Sequence, residues 1–315
     1  MWDGNPADAP QWVRAMPKLE FHVHLEGTVV AAPYQDQFTD FDSFLAAFGR
    51  HTFRLATVED FRRAVIAYGR NLAHDGGVYA EVTLTLSTHV HKKGLDPETV
   101  MRACWAGAQE LERETGVIIR FVLDHVRNHP VERGEEVLDW CLAFRDLGVV
   151  ALGLGGQEHG HPASSHHRML RRAQRLGVPF VPHAGEAAGP EQIRDALCYE
   201  PRRLGHAVTA WLDPLLPGEL TRRGVMIEAC PTSNVRLGHV STLAEHPLRR
   251  YVDGAVPVSV NTDNPAMLGT SLLREYALAV DVLGFTEAML RELGVQAVDH
   301  VLAGDDIRRR LTALW

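Results

Sequence analysis

Along most of the chain, short apolar runs rich in β-branched residues alternate with longer segments whose apolar positions recur at helical spacing. The runs Leu19–His24, Val78–Leu86, Val117–Leu123, Val149–Leu154, Val178–His183, Arg203–His206, Val225–Ala229 and Val256–Val260 predict strands. The longer segments predict helices over Val58–Leu72, Pro97–Glu112, Glu135–Leu147, Ser165–Leu176, Pro190–Leu197, Pro214–Arg223 and Leu272–Leu283. Asp96 ahead of Pro97 is a helix start, an N-cap followed by a proline at the first helical position. Gly116, Gly148, Gly177, Gly224 and Gly254 stand just before the next run, where a left-handed residue ends a helix. Eight strands separated by helices imply a parallel sheet and the α/β class. A (β/α)8 TIM barrel needs about 250 residues, which this chain supplies along with extra helices. The alternative, a doubly wound open sheet, lacks a G-x-G-x-x-G after the first strand. No repeat or linker divides the sequence, so residues 1–315 predict a single barrel domain. In such a barrel the chemistry sits at the C-terminal ends of the strands.

Composition narrows the function by exclusion. Of 315 residues, 32 are Lys or Arg and 40 are Asp or Glu, a formal charge of −8. That balance speaks against a nucleic-acid or anionic-membrane partner and leaves room for a small ligand in a pocket. No apolar run approaches the ~18 residues of a membrane span. Cys104, Cys141, Cys198 and Cys230 lie far apart with no C-x-x-C, as expected of reduced cytoplasmic thiols. The N-terminus carries no apolar signal-peptide core. A homodimer is allowed but nothing specifies it. Histidine is unusually frequent, at 17 residues, and histidine is the commonest metal ligand and proton carrier near neutral pH.

The strand ends sort these histidines. The first strand ends in His22-Val23-His24-Leu25-Glu26-Gly27, where alternation turns both imidazoles to one side. The fifth ends in His183-Ala184-Gly185-Glu186, and the sixth in His206. The eighth ends in Asn261-Thr262-Asp263-Asn264-Pro265, where Asp263 is either a helix cap or a charge that needs a cation. His22, His24, His183 and Asp263 together suit one catalytic Zn²⁺ per chain with a position left for water. Glu186 and His206 remain as acid/base groups. The fourth strand ends in Gly153-Leu154-Gly155-Gly156 and offers no lysine to bridge a second metal. His159, His161, His89 and His91 are expected in loops, and His166 and His167 at a solvated helix start.

Six segments then resemble the adenosine deaminase family of zinc-dependent barrel enzymes. They are Met16–Gly27, Leu152–Glu158, His183–Pro190, Arg202–His206, Cys230–Gly238 and Val260–Pro265, in the family's order. The resemblance implies hydrolytic loss of the 6-amino group of an adenine nucleoside, adenosine or a 5′-substituted adenosine, with release of ammonia. It implies zinc on His22, His24, His183 and Asp263. It also implies that Glu186 protonates purine N1, that His206 orients and deprotonates the attacking water, and that the Gly156 N–H meets N3. Glu26 stands where the family has an aspartate on the ribose hydroxyls, and Asn264 where it has an aspartate on N7. Other departures are Ala207 in place of a glycine and Thr83 in place of an arginine. The stretch from Gly27 to Phe41 is also short, where the family carries a helical lid, which implies a wetter or more open pocket. Thr83 and the GLGGQE pattern resemble the branch acting on larger nucleosides such as aminodeoxyfutalosine. Adenine deaminase is a further alternative within the family. From other classes, the alternatives are a non-catalytic purine- or metal-binding member and a hydrolase of cyclic amides or esters.

Overall fold

The computed structural model describes residues 9–29 and 41–315. Eight parallel strands run in the order of the chain: β1 (Lys18–His24), β2 (Gly77–Leu84), β3 (Ile118–Val126), β4 (Val149–Gly155), β5 (Phe180–Ala184), β6 (Arg203–His206), β7 (Met226–Ala229) and β8 (Val258–Val260). Each pairs with its successor. The last gap is bridged just beyond β8, where Asp263 N donates to His22 O at 2.9 Å and His24 N donates to Asp263 O at 2.8 Å. The fold is a (β/α)8 TIM barrel with additional helices. The seam that closes it lies among three of the residues expected to bind metal.

The predicted strands match the observed ones to within a few residues, because strands buried on both faces read as continuous apolar runs. Their core is continuous with the helices, through residues such as Val82, Phe121, Leu152, Leu204 and Val258. Helix starts follow the capping chemistry. Asp96 accepts from Thr99 N at 2.8 Å, and Thr57 with Asp60 forms a reciprocal capping box ahead of Val58. Gly116, Gly148 and Gly224 end their helices with φ of 81°, 80° and 63°.

Two differences concern the mouth of the barrel. Leu86–Lys93, expected as a loop, is a helix ended by left-handed Gly94. Within it His89 is fully buried. Its apolar positions are too few to show a helical period, although Lys92-Lys93-Gly94 is a C-terminal signature. The second is a helix just after the short stretch, where none was expected. Phe41–Thr52 forms a helix whose Phe41, Phe44 and Phe48 line the central cavity. Residues 30–40 of the short stretch fall outside the described residues. Among the described residues, no helix is long and apolar enough to cross a membrane.

Candidate active site

The cavity at the C-terminal mouth is lined by His24, His183, Glu186, His206, Asp263 and Asn264, with Gly156 at its edge. The His22 ring lies directly beneath, its centroid 4.5 Å from that of His183 and 4.6 Å from that of His206. Gly205 makes this close approach possible, since a Cβ there would stand 2.6 Å from His22 Cε1. Three strand-end residues take left-handed backbone without being glycine: His206 (φ 60°), Ala207 (φ 44°) and Asp263 (φ 63°). Such conformations cost of order 1–3 kcal/mol and persist where the surroundings enforce them. A glycine in place of Ala207 would relieve one of them.

The donor atoms suit a cation. His24 Nε2 lies 3.2 Å from His183 Nε2 and 3.5 Å from Asp263 Oδ1. Nitrogens on one tetrahedral ion at ~2.0–2.1 Å are ~3.3 Å apart, so the first spacing fits a shared ion. His22 Nε2 is buried without a hydrogen-bond partner. Its Nδ1 is occupied, 2.8 Å from Glu228 Oε2. Two clusters share His22: His22 with His24 and Asp263, and His22 with His183 and His206. In each, the ligand atoms lie within 4.8 Å of one another. These histidines could therefore hold a metal. Asp263 is held on both sides, its Oδ2 accepting from Ser233 Oγ and its Oδ1 from Asn264 Nδ2, each at 2.6 Å.

Glu186 Oε1 faces His206 Nε2 at 3.5 Å and His239 Nε2 at 3.7 Å. Burial, reinforced by the Asp263 and Glu158 carboxylates, raises its pKa well above the ordinary carboxylate value. Burial, and then the neighbouring imidazoles, push His183 and His206 well below the ordinary histidine value. Glu158, the last residue of the GLGGQE motif, fixes the loop that carries Glu186. Its carboxylate accepts from the backbone N–H of Gly185, of Glu186 at 3.1 Å, and of Ala187 and Ala188 at 3.0 Å each.

Glu26 departs from its expected ribose contact. The residue is fully buried, and its Oε1 accepts from Thr85 N and faces His89 Nε2, both at 3.0 Å. It braces the new helix Leu86–Lys93 rather than lining the cavity. His166 is buried too, with Nε2 3.1 Å from Arg127 O, against the expectation of a solvated histidine. Sequence reasoning missed Glu228, Glu158, Asn234 and His246. The available signal for Glu228 was a lone charge inside an apolar strand.

A parallel barrel whose strand ends converge on imidazoles and a carboxylate is built as a hydrolase of the amidohydrolase type. A family model for adenosine deaminase matches residues 30–314, and the chain belongs to the adenosine deaminase family. It is 32% identical to the aminodeoxyfutalosine deaminase of Acidothermus cellulolyticus, over 96% of this chain and 92% of that one. It is 30% identical to the adenine deaminase of Caulobacter vibrioides, over 89% of this chain and 88% of the other. The solved adenine deaminase of Arthrobacter aurescens superposes with a TM-score of 0.88 at 28% identity, covering 95% of this chain and 98% of that one.

Proposed function

We propose that this protein hydrolyses the 6-amino group of an adenine nucleoside, adenosine or a 5′-substituted adenosine, using one zinc ion per chain. The observation that carries the reading is Glu186, a buried carboxyl whose pKa is raised and which faces the cavity shared with the histidine–aspartate cluster. Zinc on His22, His24, His183 and Asp263 would lower the pKa of a water toward neutrality and so supply the nucleophile. The raised pKa favours the protonated Glu186 carboxyl, which can donate its proton to purine N1 and so withdraw electrons from C6. Water adds at C6 and the amine leaves as ammonia. Gly156, with φ of 88°, presents backbone to the ring at close range and can donate its N–H to N3. Asn264 gives one amide hydrogen to Asp263 and keeps a second for a ring acceptor such as N7.

The cavity lining is of two kinds. Phe41, Phe44 and Phe48 form an apolar wall suited to a flat base. Thr88, Lys92, Asn128 and His129 add polar side chains to the lining. These polar residues support a nucleoside over the free base, since a ribose and its substituent need hydrogen-bonding partners.

The test is ammonia release from adenine, adenosine and 5′-substituted adenosines including aminodeoxyfutalosine, with metal analysis of the same preparation. Release from a nucleoside with about one zinc per chain is expected. Release from adenine alone would overturn the nucleoside assignment, and silence on the whole panel with metal bound would leave a non-catalytic family member. Glu186→Gln should keep the metal and lose ~10²–10⁴-fold in turnover. Because the acid form of Glu186 is the active one, wild-type turnover should fall as pH rises through its raised pKa. That fall should be missing from the residual activity of Glu186→Gln.

A further inference from the structure

Asn234 is fully buried between two imidazoles. Its amide nitrogen lies 3.0 Å from His206 Nδ1, and its carbonyl oxygen 3.1 Å from His246 Nε2. The next link fixes the direction of both bonds. The backbone N–H of Leu248 meets His246 Nδ1 at 3.1 Å. Leu248 opens a helix, so this N–H has no partner within the helix, and a backbone N–H can only donate. His246 Nδ1 must therefore be the bare, accepting nitrogen, and a neutral imidazole then carries its hydrogen on Nε2. That hydrogen needs an acceptor, which makes the Asn234 atom facing His246 the carbonyl. The Asn234 amide group is left facing His206 Nδ1 and can only donate to it.

We propose that the chain Leu248–His246–Asn234 locks His206 as the tautomer with its hydrogen on Nε2. His206 then acts in the cavity as a hydrogen-bond donor, and neither as a metal ligand nor as the base that takes a proton from water. Reversing any link would set two donors against each other, and the conflict would pass along the chain to Leu248 N, which has no alternative state. The three side chains are 1%, 0% and 3% exposed for His206, Asn234 and His246, so water cannot relieve such a conflict.

Two consequences follow for the site. A metal ligand needs a lone pair at the coordinating nitrogen. His206 has none at Nε2, so the cluster of His22, His24 and Asp263 with His183 is the one that remains complete. In the reaction, His206 Nε2–H steadies the attacking oxygen. Glu186 gives its proton to N1, the water oxygen bonds to C6, and one water proton passes to the Glu186 carboxylate just formed. That proton moves on to the 6-amino group, which leaves as ammonia as the C6–N bond breaks. The remaining hydroxyl proton returns to Glu186 as the C6 carbonyl forms. Protons balance without His206 changing state. This replaces the expectation that His206 deprotonates the water. His246 and Asn234 are positioning residues, acting only through His206.

The tautomer itself is testable without any substrate, whereas the kinetic arm rests on the deaminase reading. In ¹⁵N–¹H correlation spectra of the histidine-labelled full chain, as purified with its metal, His206 and His246 should each show a protonated Nε2 and a bare Nδ1. A protonated Nδ1 on His206 would overturn the proposal whatever the substrate proves to be. In the kinetic arm, glutamine at 246 offers a carbonyl and an amide in the same order as Nδ1 and Nε2–H, so His246→Gln should keep kcat close to wild type. His246→Glu offers only acceptors. It turns the Asn234 amide away from His206, and should lower kcat by ~10²-fold with KM and metal content unchanged. Equal kcat in the two variants would also overturn the proposal.

Discussion

His22 uses its two ring nitrogens differently. Nδ1 is engaged by Glu228 at 2.8 Å, which leaves Nε2 bare toward the cluster. Burial alone would lower the His22 pKa, but Glu228, Asp263 and Glu20 outweigh it and raise it. Glu228 is itself held below the ordinary carboxylate value, against its burial, by Arg203 and His22. Carboxylates that orient metal-bound histidines typically contribute 10–100-fold to metal affinity. Glu228→Gln is therefore expected to weaken metal binding by roughly that factor in competition with a chelator. Unchanged affinity would mean that Glu228 serves only to neutralise Arg203. At this scale the strand-end histidines were legible and Glu228 was not. A histidine at the end of an apolar run advertises itself, whereas a charge within such a run is read only once its partner on another strand is known.

At the scale of elements, the loop after β5 shows how a segment without regular structure becomes rigid. Four consecutive backbone N–H groups converge on the one Glu158 carboxylate, with Glu186 among them. The prediction is that Glu158→Ala keeps its metal, because His183 is already fixed within β5. Glu186 should swing from its position and kcat should drop by about 10²-fold, the cost of a misplacement near 1 Å. Wild-type turnover with a correctly bound metal would show that the loop is held by other means. Strands and long helices were legible from apolar period and capping residues. The helix Leu86–Lys93 was not, because it is only 8 residues long. Its stability comes from His89 meeting Glu26 in the interior rather than from its own pattern.

At the scale of the whole molecule, the barrel interior below the site is charged. Arg203, fully buried, donates from Nε to Glu228 at 2.6 Å and from Nη2 to Glu81 at 2.5 Å, and from Nη1 to His300 O at 2.7 Å. This ties β2, β6, β7 and the C-terminal segment together and ends on His22. Removing one partner of a buried ion pair typically costs 3–5 kcal/mol, because the other charge stays behind. Arg203→Leu should lose about that much in urea unfolding, a large part of the 5–15 kcal/mol usual for a protein. A loss under about 1 kcal/mol would mean that Glu81 and Glu228 find compensation as neutral acids. The sequence by itself determined the strand order, the barrel and the strand-end set of His22, His24, His183, Glu186, His206 and Asp263. Each of these depends on local pattern: apolar period, capping, and position at the end of a run. Only the tertiary structure decided that Glu26 turns inward, that Glu228 supports His22, that Glu158 holds the Glu186 loop, and which nitrogen of His206 is engaged by Asn234. Those are pairings between residues far apart in the chain. Hydrogen bonding in a buried interior is directional and must be satisfied, so such pairings are fixed by which strands and loops the barrel brings side by side.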